Sequence, residues 1–346
     1  MRIQLISVLM VGLVGFSLRS PAEEPATKKY QVITPKDDRM NLVDINSRGE
    51  VTGAEWVEDK KDSNIIVESP FFARGQALTE IPLLKGYTSM FPAALSDGGT
   101  VVGRASKPGS FTKRVLLRNQ AFLWDAKTGS RGLGTLEGDV ASIACGISKD
   151  GAVISGYSVG ENRIRVCVWE HLGDQWVGKP LPQTDRLGST VVALSDDGRR
   201  LAAVDGMVPC LWTRDAASNW TREVLGGPGS LVPRGVNNSG VVVGFTFADS
   251  HKHAVMWTKS DGLKRLPEEK GFVQSEANDV NNDGVVVGGI EKDAGPGKEL
   301  EPHAFIYMKG RLQLIEAGGP NFIVANAIND QWQITGTFER DDEEIK

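Results

Sequence analysis

The chain has 346 residues, with 39 Lys and Arg against 44 Asp and Glu, which gives a formal net charge of −5. A mildly acidic chain of this kind is a poor partner for a phosphate backbone, so the sequence predicts no nucleic-acid ligand. Its three cysteines, Cys145, Cys167 and Cys210, lack the spacing of a zinc site and are interpreted as small buried hydrophobic residues rather than as a disulfide pair.

Residues 1–22 have the pattern of an export signal. Arg2 precedes an apolar run from Ile3 to Phe16, and the small residues Ser20 and Ala22 mark a cleavage point. The run is short for a bilayer span, and no later stretch is apolar enough to be one. We therefore expect a secreted or periplasmic protein without a membrane span. Its mature part, residues 23–346, is expected to fold as a single domain with a formal charge of −7.

The mature chain repeats one turn motif seven times, at intervals of 42 to 52 residues. In each copy an apolar residue is followed by Asn or Ser. In all copies but the last, a Gly stands three residues after that Asn or Ser. The copies begin at Asn46, Ser96, Ser148, Ser195, Asn237, Asn281 and Asn329. Asn, Asp and Gly accept the positive φ of tight hairpin turns, and a repeat of this length indicates an array fold.

One repeat contains four strand-like pieces. In the unit from Ala277 to Ile315, a strand approaches Val280, Val285-Val286-Val287-Gly288 follows the turn, His303 to Tyr307 is the third strand, and Leu312-Gln313-Leu314 is the fourth. Forty Gly and the absence of long 3.6-residue periodicity exclude helical arrays. The fold class predicted is all-β, a β-propeller of four-stranded antiparallel blades.

The number of blades follows from counting strand candidates. Six full sets and a last set of three are present, and Tyr30 to Ile33 aligns with a fourth strand that leads into Asp44. We predict seven blades, the last one thin or closed by the N-terminal strand. Six blades with a trailing hairpin is the alternative.

The repeats resemble the HAF repeat family of bacterial extracellular proteins. His303-Ala304-Phe305 is the literal match, His253-Ala254-Val255 and Gln120-Ala121-Phe122 are near matches, and the resemblance extends over about residues 40 to 336. It departs at Arg199 to Ala202, which replace the Val-Val-Gly strand, and at Trp332, which replaces the turn Gly. The resemblance implies export and a repeated β fold, and it carries no catalytic residues to transfer.

One turn has the spacing of a calcium loop. Asp279, Asn281 and Asp283 alternate ahead of Gly284, as oxygen ligands do around a hard cation. The twelfth loop position, where an acidic ligand is expected, is Ile290, and the other turns do not repeat the pattern. Turn chemistry explains these residues without a metal, so no metal or other cofactor is predicted and the loop stays an alternative.

No catalytic site is recognisable. His253 and His303 occupy the same position in neighbouring repeats, which favours a structural role, a hydrogen bond from each ring to a neighbouring strand or loop. The function expected is therefore an exported binding or scaffold protein, a monomer with a protein or glycan ligand. The alternative is a secreted polysaccharide hydrolase or lyase that uses carboxylates in the propeller funnel. Two or more acids with a base or an aromatic side chain at one mouth of the channel would favour that enzyme.

Overall fold

The computed structural model describes residues 5–11, 31–33, 40–58, 66–107, 118–182, 192–268, 270–295, 297–315 and 322–339. Their regular elements are 28 strands, which form four-stranded antiparallel sheets arranged as a β-propeller. The predicted fold class is thus confirmed. None of the described residues belongs to a helix long and apolar enough to cross a membrane.

Six blades each consist of four consecutive strands, innermost first. Blade 1 contains β3 (Met40–Ile45), β4 (Val51–Glu58), β5 (Ile66–Arg74) and β6 (Ala77–Glu80). Blade 2 contains β7 (Ser89–Leu95), β8 (Val101–Ser106), β9 (Asn119–Asp125) and β10 (Gly129–Gly132). Blade 3 contains β11 (Ala141–Ile147), β12 (Val153–Val159), β13 (Ile164–Leu172) and β14 (Gln175–Pro180). Blade 4 contains β15 (Val192–Leu194), β16 (Arg200–Asp205), β17 (Val208–Arg214) and β18 (Trp220–Val224). Blade 5 contains β19 (Val232–Val236), β20 (Val242–Ala248), β21 (His251–Thr258) and β22 (Gly262–Arg265). Blade 6 contains β23 (Phe272–Val280), β24 (Val286–Lys292), β25 (Glu301–Met308) and β26 (Arg311–Leu314).

The remaining strands form a composite closing sheet. From the inside outward it contains β27 (Phe322–Ile328), β28 (Ile334–Glu339), β1 (Leu5–Val11) and β2 (Gln31–Ile33). Seven consecutive blades are therefore not formed, because the described C-terminal residues supply only the hairpin β27–β28 and the N-terminal part supplies the other two strands. Strand β1 lies inside the segment that the sequence assigns to the export signal. The predicted cleavage point at Ser20 and Ala22 and the acidic end from Arg340 to Lys346 lie outside the described residues.

A β-bulge in the innermost strand explains the Val-Val-Gly motif. In blade 6 the register shifts between Ala277 and Asp279, and Gly288 lies opposite Ala277. A Cβ at Gly288 would stand 2.0 Å from the Glu276 carbonyl oxygen, so only glycine fits there. Blades 1, 2, 3 and 5 and the closing sheet have the same bulge opposite a glycine: Gly53, Gly103, Gly156, Gly244 and Gly336.

Blade 4 departs from the motif because its described innermost strand has no bulge. Val192, Ala193 and Leu194 pair in simple register with Ala203, Ala202 and Leu201. Where this simple register replaces the bulge, Ala203 takes the place of the glycine. The irregular fourth repeat of the sequence therefore has a backbone cause.

The fourth strand of blade 6 lies where the sequence predicts it, because Leu312 to Leu314 fall within β26. In blades 2 to 5 the fourth strand ends at the residue before a buried leucine, which is Leu133, Leu181, Leu225 or Leu266. An outermost strand is exposed and polar, so it carries little apolar pattern. The buried leucine instead marks the point where the chain turns inward toward the next blade.

The turns adopt the backbone expected of them. Gly240 and Gly284 have φ of 85° and 77°, as the sequence predicts. In the last copy Trp332 occupies the glycine position with φ of 63°, and its indole Nε1 donates to Asp283 Oδ2 at 2.9 Å.

Candidate functional site: the channel of the propeller

The innermost strands surround a central channel whose two ends differ in structure. All turns between first and second strands lie at one end, which we call the turn end. The innermost strands start at the other, the entry end, where the connections between second and third strands also lie because those strands are antiparallel. The channel cavity near the turn end has a volume of about 160 Å³.

A ring of hydrogen bonds links the blades at the turn end. The second residue of each turn contributes, and these residues form the turn ring: Ser47, Asp97, Lys149, Asp196, Asn238, Asn282 and Asp330. The amide N–H of Ser47 donates to Asp97 Oδ1 at 2.9 Å, and that of Asn282 donates to Asp330 Oδ1 at 2.9 Å. Each such bond joins one blade to the next, so the ring holds the assembly together at this end.

Lys149 crosses the channel from blade 3. Its Nζ donates to the Ile45 carbonyl oxygen of blade 1 at 3.1 Å and lies 3.8 Å from Asp196 Oδ1 of blade 4. Burial alone would lower the pKa of Lys149, but the surrounding carboxylates, Asp44 first among them, raise this pKa above its usual value. The side chain is therefore a permanent cation and cannot act as a general base at neutral pH.

Two recessed carboxylates lie one layer below the turn ring. Asp44 accepts the N–H of Ile45 at 2.8 Å and that of Leu95 in the next blade at 2.7 Å. Asp279 does the same with Val280 at 2.8 Å and Ile328 of the closing sheet at 2.9 Å. Both aspartates occupy the same repeat position, and each one connects its own blade to the following blade.

Burial changes the ionisation of these acids. Loss of solvent contact raises the pKa of Asp44 and Asp196. The same desolvation raises the pKa of Asp279 from 3.8 to about 7. At neutral pH the channel therefore contains one carboxyl group close to its titration midpoint, beside a fixed ammonium group.

We expect the ionisation of Asp279 to make stability fall between about pH 4 and pH 7. Below pH 4 the group is protonated in both states, whereas above pH 7 the native state has to bury a charge that the unfolded state solvates. In Asp279→Asn this contribution is absent, so the melting temperature of the variant should rise relative to the parent protein as the pH increases from 5 to 8. Thermal unfolding of both proteins across this range measures the difference, and a difference independent of pH would contradict the assignment.

The residues of the calcium alternative make separate contacts. Asp279 accepts backbone N–H groups, Asn281 Oδ1 accepts the N–H of Val285 in its own turn at 2.9 Å, and Asp283 accepts the Trp332 indole N–H. Within the described ranges no three His, Cys, Asp or Glu side chains form a group that could hold a metal ion. Ordinary turn and blade contacts account for all three residues.

The bulges position a second layer of side chains in the channel. Each bulged residue lies between two residues paired in the ladder, and those that line the cavity are Val43, Ala93, Cys145, Arg234, Asn278 and Asn326. Asn278 Nδ2 donates to the Ala325 carbonyl oxygen at 2.9 Å, and Asn326 Nδ2 donates to that of Leu42 at 2.9 Å. Burial raises the pKa of the Cys145 thiol to about 12, so this thiol is not a nucleophile at neutral pH. None of the three cysteines takes part in a disulfide bond.

A larger groove opens at the entry end between blades 5 and 6 and the closing sheet, with a volume of about 360 Å³. Glu276 lines this groove and pairs with Arg234 at 2.6 Å and with Lys252 at 2.5 Å. Beside them Gln274 Nε2 donates to Glu291 Oε2 at 2.5 Å. We call this set of residues, with Asn278 and Asn326, the entry groove.

The sequence alone did not identify the two charged groups of the channel, which are Lys149 at the turn end and the Arg234–Glu276 pair in the entry groove. Lys149 is the one basic residue at the second turn position, so an alignment of the turns could have identified it. Arg234 and Glu276 lie on strands whose bulge cannot be located from a single sequence. Of the turn carboxylates, Asp97 and Asp196 belong to the turn ring, whereas Asp150 and Asp197 accept hydrogen bonds within their own turns.

The two recurrent histidines have different surroundings. His253 Nδ1 lies 3.0 Å from Glu268 Oε1, and Glu268 also accepts the Ser275 hydroxyl. His303 packs edge to face against Phe272, with ring centroids 5.9 Å apart. Among the described residues, the two histidines therefore make different contacts, an ionisable partner for His253 and an aromatic one for His303.

Comparisons with known proteins agree with the fold. No protein-family model matches the chain, and no curated protein sequence matches it. Among solved structures, the chain is similar to the β-propeller domain of the Trilobed protease from Pyrococcus furiosus, with a TM-score of 0.55 and 9% identity over 87% of this chain and 94% of that one.

It is also similar to a Mycobacterium tuberculosis puromycin-hydrolyzing peptidase, with a TM-score of 0.54 and 12% identity over 84% of this chain and 48% of that one. A prolyl endopeptidase structure gives a TM-score of 0.53 and 10% identity over 84% of this chain and 44% of that one. The chain thus spans about half the length of these two peptidases. At such identities the likeness defines the class, a β-propeller, and nothing narrower.

Proposed function

We propose that the protein is an exported binding or scaffold propeller whose ligand, a protein or a glycan, binds at the entry end. The observation that supports this proposal is the use of the channel charges. Asp44 and Asp279 accept backbone N–H groups of two blades, and Lys149 binds a backbone carbonyl oxygen across the channel. Charges held by the fold in this way maintain the ring, and the loops and groove at the other end remain available for a ligand.

The enzyme alternative is favoured by one specific observation. Asp44, Asp97, Asp196 and Asp279 all act electrostatically on Lys149, which is a group of acids with a base at one mouth of the channel. By the criterion set from the sequence, that group favours a hydrolase or lyase. We give it second place because the base is a hydrogen-bonded cation and because both recessed acids are bound to backbone amides.

A binding screen tests the proposal. The mature protein is immobilised and exposed to purified soluble oligosaccharides and to extracellular proteins of its source, and saturable binding is measured by surface plasmon resonance. The expected result is a ligand that binds reversibly and is recovered unchanged. Recovery of a ligand shortened by the protein would favour the enzyme instead.

We further propose that residues 1–22 are removed during export and that the HAF-like repeats form a ring with seven positions. The closing sheet takes the seventh position, and β27 supports this by packing against β24 on one side and β3 on the other. Removal of residues 1–22 takes away β1, which would leave this sheet thin, as the sequence predicts.

The mature N-terminus is expected to be Glu23. Mass spectrometry of the full-length chain expressed in a Gram-negative host, after separation of periplasm and cytoplasm, measures it. Replacement of the apolar run by a polar one is the control and should keep the protein in the cytoplasm. A periplasmic protein that still begins at Met1 would contradict the cleavage.

A further inference from the structure

We infer that the entry groove binds a neutral oligosaccharide; this inference rests on the proposed binding function and assigns it a site and a ligand class. The groove is the larger of the two cavities described above, and its volume of about 360 Å³ is within the range of small-ligand sites. It lies at the end of the channel that the turn ring and Lys149 do not occupy.

The charges of the groove are balanced internally. Glu276 binds Arg234 through Oε1 and Lys252 through Oε2, and Glu291 Oε2 accepts Gln274. Two cations therefore face two carboxylates, and the groove has no net charge to offer an anion or a cation. A ligand of either charge would have to break these pairs, and the loss of one partner from such a pair is costly.

The hydrogen-bonding groups that remain suit hydroxyl groups. Asn278 and Asn326 donate their amide N–H groups to backbone carbonyls, which turns each Oδ1 away from those bonds and toward other donors. Arg234 and Lys252 have further N–H groups beyond those that bind Glu276. A hydroxyl both donates and accepts, so a polyhydroxylated ligand can use acceptors and donors spaced closely together.

The apolar surface beside the groove fits a sugar better than a peptide. Within the groove lining, Val324 is the one apolar side chain larger than a methyl group, so a peptide side chain finds no apolar pocket there. Phe247, which pairs in the ladder with the groove residue Lys252, is 62% exposed and packs against Phe245 at a centroid distance of 5.3 Å. Phe245 in turn lies under the ammonium of Lys252, with 4.7 Å from Nζ to the ring centroid. An exposed aromatic ring at the rim of a polar groove is a platform for the apolar face of a sugar ring.

Calorimetric titration of the mature protein with neutral hexasaccharides tests the inference. The probes are cellohexaose, maltohexaose, xylohexaose, mannohexaose and chitohexaose, with hexagalacturonate as the charged comparison. At least one neutral probe should bind saturably, and its Kd should not change between about 0.05 and 0.5 M NaCl because no counterion is displaced.

Two groove variants and two matched controls locate the site. Glu291→Gln and Phe247→Ala should each weaken binding about tenfold, the effect of one lost hydrogen bond or apolar contact. Glu223→Gln on the outer edge of blade 4 and Leu172→Ala, whose side chain is 70% exposed on blade 3, should leave Kd unchanged. Melting temperatures of all four variants are measured to confirm folding.

Each contrary outcome has a distinct meaning. Binding of a neutral probe that is equally tight in both groove variants places the site elsewhere and overturns the inference, while the binding function survives. Binding of hexagalacturonate alone overturns the ligand class. If no oligosaccharide binds but a purified extracellular protein does, the inference fails and the proposed function stands; if nothing binds, both fail.

Discussion

Gly288→Ala is expected to destabilise the protein by about 3 kcal/mol or more. The added Cβ would stand 2.0 Å from the Glu276 carbonyl oxygen and 2.8 Å from the Phe305 ring. Neither neighbour can yield, because the carbonyl belongs to a bulged strand and Phe305 is completely buried. Urea unfolding monitored by tryptophan fluorescence measures the change in the free energy of unfolding.

Gly284→Ala is the matched control in the same blade. Its Cβ would meet nothing within 4 Å, but Gly284 has a φ of 77°, so the cost is limited to backbone strain of about 1 kcal/mol. If Gly288→Ala were no more destabilising than Gly284→Ala, the contact between the bulge and the glycine would not explain the Val-Val-Gly motif.

Lys149→Ala is expected to destabilise the protein by about 3 kcal/mol at pH 7. The change removes the cation that lies among the carboxylates of the channel and leaves the Ile45 carbonyl oxygen without this donor. Because the unpaired charges cause the loss, it should diminish at pH 4, where more of the carboxyl groups are protonated. Chemical unfolding at the two pH values measures both effects.

Lys179→Ala provides the comparison for a surface ion pair. Lys179 pairs with Glu170 at 2.8 Å, but its side chain is 57% exposed, and such pairs contribute less than about 1 kcal/mol. Equal losses in Lys149→Ala and Lys179→Ala, or a loss in Lys149→Ala that does not depend on pH, would contradict a role for Lys149 as the cation that holds the turn end.

The repeat and its turns could be predicted from the sequence because they depend on local chemistry. Asn46, Asn237 and Asn281 indicate tight turns. The buried tryptophans Trp169 and Trp212 lie on third strands, which the apolar runs predict. Strand order within a blade follows from the same pattern, since consecutive antiparallel strands pair with their neighbours.

The parts that could not be predicted depend on contacts between distant residues. The bulges of the innermost strands determine which side chains enter the channel, and a bulge adds one residue without changing the apolar pattern. The entry groove joins Arg234, Glu276 and Asn326 from different parts of the ring. The closing sheet combines strands from both ends of the chain, whose pairing no local signal records.

Product analysis after prolonged incubation tests the central claim that the channel charges maintain the fold and do not catalyse. The mature protein and its Asp279→Asn variant are incubated with the hexasaccharide panel and with hexagalacturonate, and the products are resolved by chromatography with mass detection. The account predicts that both proteins leave the hexasaccharides intact. It also predicts that the melting temperature of Asp279→Asn differs from that of the parent protein. Shorter products that form with the parent protein and disappear in a variant with an unchanged melting temperature would contradict it.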